Sequence, residues 1–402
     1  MSPPIIVIAP DGFKGCLSSL EAAQAIETGL KQGFPELTPR LVPMADGGEG
    51  TVAAMVAAMG GELHTVTVSG PIPGMMVDAV FGLVAQGRTA IMEMASASGI
   101  ALLPPGHYDP MGANTLGTGE MIRAALNLGV DKIILGLGGS ASTDGGTGMA
   151  RGLGARFLDR HGHEIALGGR GLMELAAMDL THLDPRISQV AWIAACDVAT
   201  SFCGPQGAAQ VFGPQKGATP EMVEQLDLGL HRLAQLIDTQ LGLAVWNLPG
   251  SGAAGGLGGG VVSFLGGRLQ SGAALVAQTI QLQQRLRGAD LVITGEGRLD
   301  GQSLAGKAPG QVAQIAKSFN IPVIAICGIV DPTFETMQQS RIDAWFAASP
   351  YPLAPEEIPR IGPTLVTACA RQIGTLLKIF SRIEPGRFSI DHGSWDTNRW
   401  GA

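Results

Sequence analysis

Three features of the 402-residue chain predict an α/β fold. Short unbroken apolar runs, IIVIAP near the start and LVIT and PVIAICG near the end, have the composition of buried parallel strands. Most are followed by a glycine-rich loop and then a helical pattern, the order of β-loop-α units with right-handed crossovers. Between the two ends lies a stretch, HTVTVSGPIPGMMVDAVFGLVAQGRTAIMEMA, that alternates and turns as antiparallel hairpins do. The expectation is a doubly wound α/β domain built from both chain ends, residues 1–65 and 265–383, with a second mixed α/β domain, 66–264, inserted. A polar, irregular tail, 384–402, completes it.

The elements follow in order. Ile5–Ala9 reads as a strand, then PDGFKGCLSS, then a helix from about Ser19 to Gln32 with Ser18 or Ser19 as its N-cap. A strand over Arg40–Met44 leads through ADGGEGT to a helix near Val52–Met59. After the hairpin region, NTLGTGEMIRAALNLGV is a helix capped near Thr118. DKIILGLGG is a strand, SASTDGGTGM a loop before another helix, and QVAWIAACDV a further strand. GPQGAAQVFGPQKGATP opens into a long amphipathic helix. After PGSGAAGGLGGG the strands ADLVITGEG, PVIAICG and DAWFAAS return with helices between them, so the first domain closes on itself as Rossmann-like.

Composition narrows the function. Apolar residues at 46% and charged residues at 15% describe a folded chain. A net charge of −8 with no Lys/Arg block argues against nucleic acid as a partner. An anionic ligand would need locally placed cations, helix N-termini or a metal. No signal-sequence pattern and no span-length apolar run is present, so no membrane is expected. Five scattered cysteines form neither a disulfide framework nor a zinc spacing, which fits a reduced, cytoplasmic protein. The 59 glycines, about twice the usual share, cluster at strand ends, where loops approach ligands closely.

Four loops can carry chemistry. Asp46-Gly47-Gly48-Glu49-Gly50 and Asp144-Gly145-Gly146-Thr147-Gly148 share the pattern D-G-G-x-G between strand and helix, the second preceded by Gly138-Gly139-Ser140. Such an Asp can hold Mg²⁺ and such glycines can offer amides to an anion; a tight turn with an Asp cap is the plainer reading. In ITGEGRLDGQSLAGK, Glu296 and Asp300 stand beside Arg298 and Lys307, the mix that a phosphoryl donor with Mg²⁺ needs. A solvated loop with local ion pairs is the alternative there. Gly301, Gly306 and Lys307 match the spacing of a Walker P-loop, but Ala308 lacks the hydroxyl that loop requires for Mg²⁺. In PDGFKG, Asp11 and Lys14 follow the first strand. Asp197 and Lys216 are further candidates.

Together these loops resemble the bacterial glycerate kinases of the glycerate 2-kinase type. The matching stretches are IAPDGFKGCLSS, MADGGEGT, IMEMASASG, TLGTGEMI, GLGGSASTDGG, ACDV, VFGPQKGA, PGSGAAGGLG and ITGEGRLDGQSLAGK, in the family's order from about Ile5 to about Arg382. The resemblance implies ATP-dependent phosphorylation of glycerate to 2-phosphoglycerate with Mg²⁺, on two α/β domains with one inserted in the other. The chain departs from the family's pattern at Thr143 (usually Asn), at Thr200-Ser201 (usually Asn-Pro), at Ser251 (usually Ala) and in its extended tail.

Side-chain chemistry at the matching positions then assigns roles. Gly138, Gly139, Ser140, Gly145, Gly146 and Lys307 go to nucleotide phosphates, and Asp11, Lys14 and Arg298 to the glycerate or the moving phosphoryl group. Asp46, Glu296 and Asp300 go to Mg²⁺, and Asp197 to the base that takes the hydroxyl proton. A dehydrogenase reading of GEGRLDG fails because no acidic residue follows about twenty positions on at a strand end. A non-catalytic sugar-acid sensor of the same fold is the remaining alternative.

Overall fold

The computed structural model describes residues 3–304, 306–331, 341–351, 353–354 and 356–382. The expected tail, 384–402, lies outside the described residues. In chain order the strands are β1 (Ile5–Pro10), β2 (Thr38–Leu41), β3 (Glu62–Ser69), β4 (Met76–Val84), β5 (Thr89–Glu93) and β6 (Lys132–Gly136). There follow β7 (Arg156–Leu158), β8 (Ala177–Asp179), β9 (Ala191–Ala195), β10 (Arg268–Gln270), β11 (Leu291–Leu299), β12 (Val323–Val330) and β13 (Ala344–Ala347).

They form two main sheets. The first, in the order β13-β12-β11-β1-β2, is parallel throughout and takes its strands from both ends of the chain. The second, β10-β9-β6-β5-β4-β3, is parallel from β10 to β5 and antiparallel over β5, β4 and β3. It draws on residues 62–270, so β3 and β10 both reach beyond 66–264. A small antiparallel pair, β7-β8, stands apart.

Alternation along β1 explains why the first sheet is covered on both faces. Ile6 and Ile8 pack with Ile26 and Leu30 of the helix Ser19–Gly33 and with Val366, Ala370 and Ile373 of the helix Ile358–Phe380. Val7 and Ala9 point the other way, into a core with Val312, Ala313 and Ala316 of the helix Ala308–Lys317. That core also takes in Ile91, Ile134 and Ile193, so one face of the second sheet is buried against the same layer. Ile133 and Leu135 face a third core with the helices Leu116–Asn127 and Pro220–Leu241.

The first helix has the cap its sequence offers. Ser18 Oγ accepts from Glu21 N at 3.3 Å, and the Glu21 carboxylate accepts from Ser18 N at 2.8 Å. Three elements differ from expectation. The helix expected to be capped near Thr118 starts at Leu116; Thr118 is buried inside it, its hydroxyl 2.9 Å from that of Ser98. The second strand is assigned to Thr38–Leu41, but Val42 N and Met44 N still donate to Ile8 and Pro10 carbonyls, so the chain stays extended to Met44. β11 runs past the expected end at Gly297 through Arg298, because it is an inner strand whose pairing with β12 continues to Leu299. The Gly301–Lys307 stretch therefore starts two residues past its strand, with a short helical turn, Gly301–Leu304, inside it.

Candidate active site

The loops that could carry chemistry leave the carboxyl ends of parallel strands in both sheets, where ligands of α/β proteins bind. In the first sheet the chain runs from β1 to β2 on one side, while β11 lies on the other. The crevice at this change of direction opens between the loop after β1 and the end of β11.

Two cavities occupy the region. One, of about 490 Å³, is lined by Gly138, Gly139, Ser140 and Asp197 of the second sheet, by Phe212, Gln215 and Ala253–Ala254, and by Asp46, Gly47 and Lys14 of the first. The other, of about 590 Å³, sits in the β1–β11 crevice. It gathers Asp11, Lys14, Asp46, Glu296, Arg298, Asp300 and Lys307 on one side. The opposite wall is apolar: Ile329, Tyr351, Leu353, Ile358 and Leu365. Lys14 and Asp46 line both cavities.

Glycine explains how the first sheet's Asp46 reaches the second. A Cβ on Gly272 would come within 2.0 Å of the Asp46 carbonyl, and one on Gly136 within 2.4 Å of the Gly47 carbonyl. Gly47 has φ +87° and would bring a Cβ to 2.8 Å from Ala195. The Asp46–Gly50 loop thus lies backbone to backbone on the ends of β6 and β9. Glu93, on β5, fixes its far end: its Oε1 accepts from Val52 N at 2.9 Å, at the start of the helix Thr51–Met59.

The second D-G-G-x-G loop is built into the interior. Asp144 is fully buried and accepts from Thr115 N, Thr115 Oγ1, Gly146 N and Gly148 N at 2.9–3.1 Å. Burial raises its carboxyl, and those four hydrogen bonds pull it back. Gly145 N is spent on the Gly255 carbonyl, and added Cβ atoms at Gly145 and Gly146 would meet Leu233 and Gly260. Gly145 and Gly146, expected at nucleotide phosphates, have no free amide to offer and line neither cavity. The amides of Gly138, Gly139 and Ser140 donate to no protein acceptor among the described residues.

The acidic groups repel one another. Burial, then the charges of Asp46 and Glu296, push Asp11 up to about 7, against the pull of Gly12 N at 2.7 Å and of Lys14. Burial raises Glu296 as well, with Asp300 and Asp46 adding to it and Ser303 and Lys307 opposing. Glu296 Oε1 is buried with no hydrogen-bond partner among the described residues. Asp197 keeps contact with solvent, yet the protein around it pushes its carboxyl up to about 6. Its Oδ1 accepts from Ser271 Oγ and Gly272 N, both at 2.9 Å. Arg298 is more than half exposed and pairs with Asp331 at 2.5 Å and Asp300 at 3.8 Å. Asp300 also accepts from Ser303 N at 3.3 Å, while Ser303 Oγ accepts from Asp300 N at 2.9 Å.

The candidates therefore divide. Gly138, Gly139, Ser140 and Asp197 stand together in the smaller cavity, and Asp11, Glu296, Arg298, Asp300 and Lys307 in the larger. Sequence reasoning missed the apolar wall, the Gln215 and Phe212 lining, and Ser271 with Gly272 as the holders of Asp197. Ser271 stands at a helix start, but its hydroxyl goes to Asp197 instead of capping the helix, and no local signal pointed to that. The wall is assembled from separate segments and had none.

Cations, carboxylates and loop amides gathered at the strand ends of two α/β sheets are the groups that a phosphotransferase of the kinase type uses. The chain belongs to the glycerate kinase family, whose model matches residues 6–378. It is 45% identical to a glycerate kinase of Halalkalibacterium halodurans over 92% of this chain and 97% of that one. It is equally 45% identical to a glycerate 2-kinase of Escherichia coli, over 85% and 90%. The crystal structure of a putative glycerate kinase 2 from Salmonella typhimurium LT2 matches with a TM-score of 0.85 at 45% identity, covering 95% of this chain and all of that one. Family membership makes the chain an enzyme that uses ATP as phosphoryl donor on a small-molecule acceptor. No helix among the described residues is long and apolar enough to cross a membrane.

Proposed function

We propose that this protein transfers the γ-phosphoryl group of ATP to the 2-hydroxyl of D-glycerate in the cytoplasm, giving 2-phosphoglycerate. The observation that carries the reading is the pair of cavities that meet at Lys14 and Asp46. One side holds the donor, the other the acceptor, and transfer crosses the junction.

The larger cavity suits the nucleotide. Its apolar wall fits a purine base, and Arg298, Lys307 and the N-terminus of the helix Ala308–Lys317 favour polyphosphate. The smaller cavity suits the acceptor: the Gly138–Ser140 amides face its carboxylate, and Asp197 faces its hydroxyl. Gly138–Ser140 thereby move from the nucleotide to the acceptor, and Asp11 and Arg298 from the acceptor to the nucleotide.

Asp197 Oδ1 is occupied by Ser271 and Gly272, which leaves Oδ2 to take the hydroxyl proton. Lys14 neutralises charge on the group in transit. No three of Asp46, Glu296 and Asp300 stand at ligand spacing among the described residues, so Mg²⁺ would be held by one or two of them together with the phosphates of ATP, and when bound it would neutralise phosphate charge. Glu296 Oε1, buried amid other carboxylates with no hydrogen-bond partner among the described residues, fits such a cation. The five free cysteines suit a reducing compartment.

The test is turnover of purified protein with ATP, Mg²⁺ and D-glycerate, coupled through enolase with no phosphoglycerate mutase. Signal is expected without mutase. Signal only after mutase is added would mean phosphorylation at the 3-hydroxyl, and silence in both would leave the sensor reading.

A further inference from the structure

Lys216 is 2% exposed, and a fully buried lysine is rare unless something specific holds it. It sits on the turn Pro214–Lys216, after the short helix Ala208–Phe212. Its Nζ donates to Ser140 Oγ at 2.8 Å and to the Ser142 carbonyl at 2.6 Å. Both acceptors belong to the stretch that opens with Gly138. Ser140 lines the smaller cavity and Lys216 does not. The ammonium therefore stands behind the loop, joined to the cavity's lining through Ser140.

That placement sets the direction of the Ser140 hydroxyl. An oxygen that accepts from an ammonium keeps its own proton for another partner. No protein acceptor takes that proton among the described residues. The same stretch offers the amides of Gly138, Gly139 and Ser140. Three uncommitted N–H groups and one O–H then lie in the lining of one cavity with a cation behind them, and an oxyanion is the ligand such a donor set fits. Burial pulls Lys216 down to about 7, while Asp144 pulls it up. An arriving anion favours the charged form further.

We propose that Lys216 is a positioning residue for the acceptor's carboxylate: it fixes the Ser140 hydroxyl as a donor into the smaller cavity and places positive charge behind the Gly138–Ser140 amides. This rests on the reading that the smaller cavity takes the acceptor.

The experiment uses the full-length enzyme with both substrates varied, on Lys216→Met, Ser140→Ala and the double variant. Glyceramide, the neutral amide of the acceptor, serves as a competing probe. Lys216→Met should raise KM for D-glycerate by about tenfold or more, the loss of roughly one charge-assisted contact. Its KM for ATP should stay within about twofold, on the same grounds. The preference for glycerate over glyceramide should shrink, because the charge it reads is gone. Ser140→Ala should raise the glycerate KM alone and add little on top of Lys216→Met.

Two results overturn the proposal in different ways. If the effect falls on KM for ATP with glycerate untouched, the cavity assignment has failed, and the proposal with it. If Lys216→Met lowers the melting temperature while the glycerate-to-glyceramide preference stays whole, the lysine is only a structural tie and the cavity assignment survives. Should Lys216→Met not fold, Ser140→Ala alone decides, and an unchanged glycerate KM there rejects the proposal.

Discussion

At the scale of single residues, Asp197 carries the sharpest consequence. A general base works only when deprotonated, so kcat/KM for glycerate should rise with pH through about 6 and then level, since the free enzyme holds this carboxyl at about 6. Asp197→Asn should lower kcat by about 10²-fold or more and abolish that limb. A pH–rate profile of both proteins checks it; a limb that survives in the variant assigns the titration to another carboxyl, such as Asp11, pushed up to about 7. Ser251 makes a quieter case. Its hydroxyl is buried with no hydrogen-bond partner among the described residues. Ser251→Ala removes an unmet hydrogen-bonding group and should stabilise by about 1 kcal/mol. Thermal melting reads it directly, and a fall in melting temperature would mean that the hydroxyl has a partner, such as a bound water.

At the scale of elements, the loop from Asp46 to Gly50 links the sheets through contacts that only glycine permits. Gly272→Ala would drive a Cβ to 2.0 Å from the Asp46 carbonyl and disturb the amide that holds Asp197. It should cost about 1–3 kcal/mol and lower kcat more than it raises either KM. A stable variant with full kcat would show that the loop does not set the site.

The same scale shows what the sequence disclosed. Strands such as IIVIAP were legible because β1 and the opening residues of β11, Leu291–Ile293, are buried on both faces and hence apolar. The capping box at Ser18 and Glu21 was legible because it is local. β7, β8 and β10 were not: three residues carry no usable period. The end of β11 was placed two residues short, at Gly297, because Arg298 read as loop, although an inner strand can carry it where it ends in a crevice. Two loops with the same D-G-G-x-G pattern took opposite fates. Asp144 is tied down by four donors from the segments around it, and Asp46 is turned toward the cleft. Only the tertiary surroundings distinguish them. The departures at Thr143 and Ser251 fall behind the cavity walls, fully buried, so their effect on substrate contact is indirect.

At the scale of the whole molecule, two α/β sheets bury a common layer and both line the smaller cavity; we propose that each sheet with its helices is one unit. We propose boundaries close to 65/66 and 264/265, adjusted so that β3 and β10 stay with the second sheet. Each cavity belongs mainly to one unit, and Lys14 and Asp46 join them. Such a division separates the binding energies of donor and acceptor, and single substitutions should reveal that separation. The most direct measurement is steady-state turnover of Lys307→Met with both substrates varied. Lys307 lines the larger cavity alone. The two-cavity account predicts a KM for ATP raised by about tenfold, roughly 1.4 kcal/mol, with the KM for D-glycerate unchanged. A raised glycerate KM with normal ATP affinity would contradict it and exchange the roles of the two cavities.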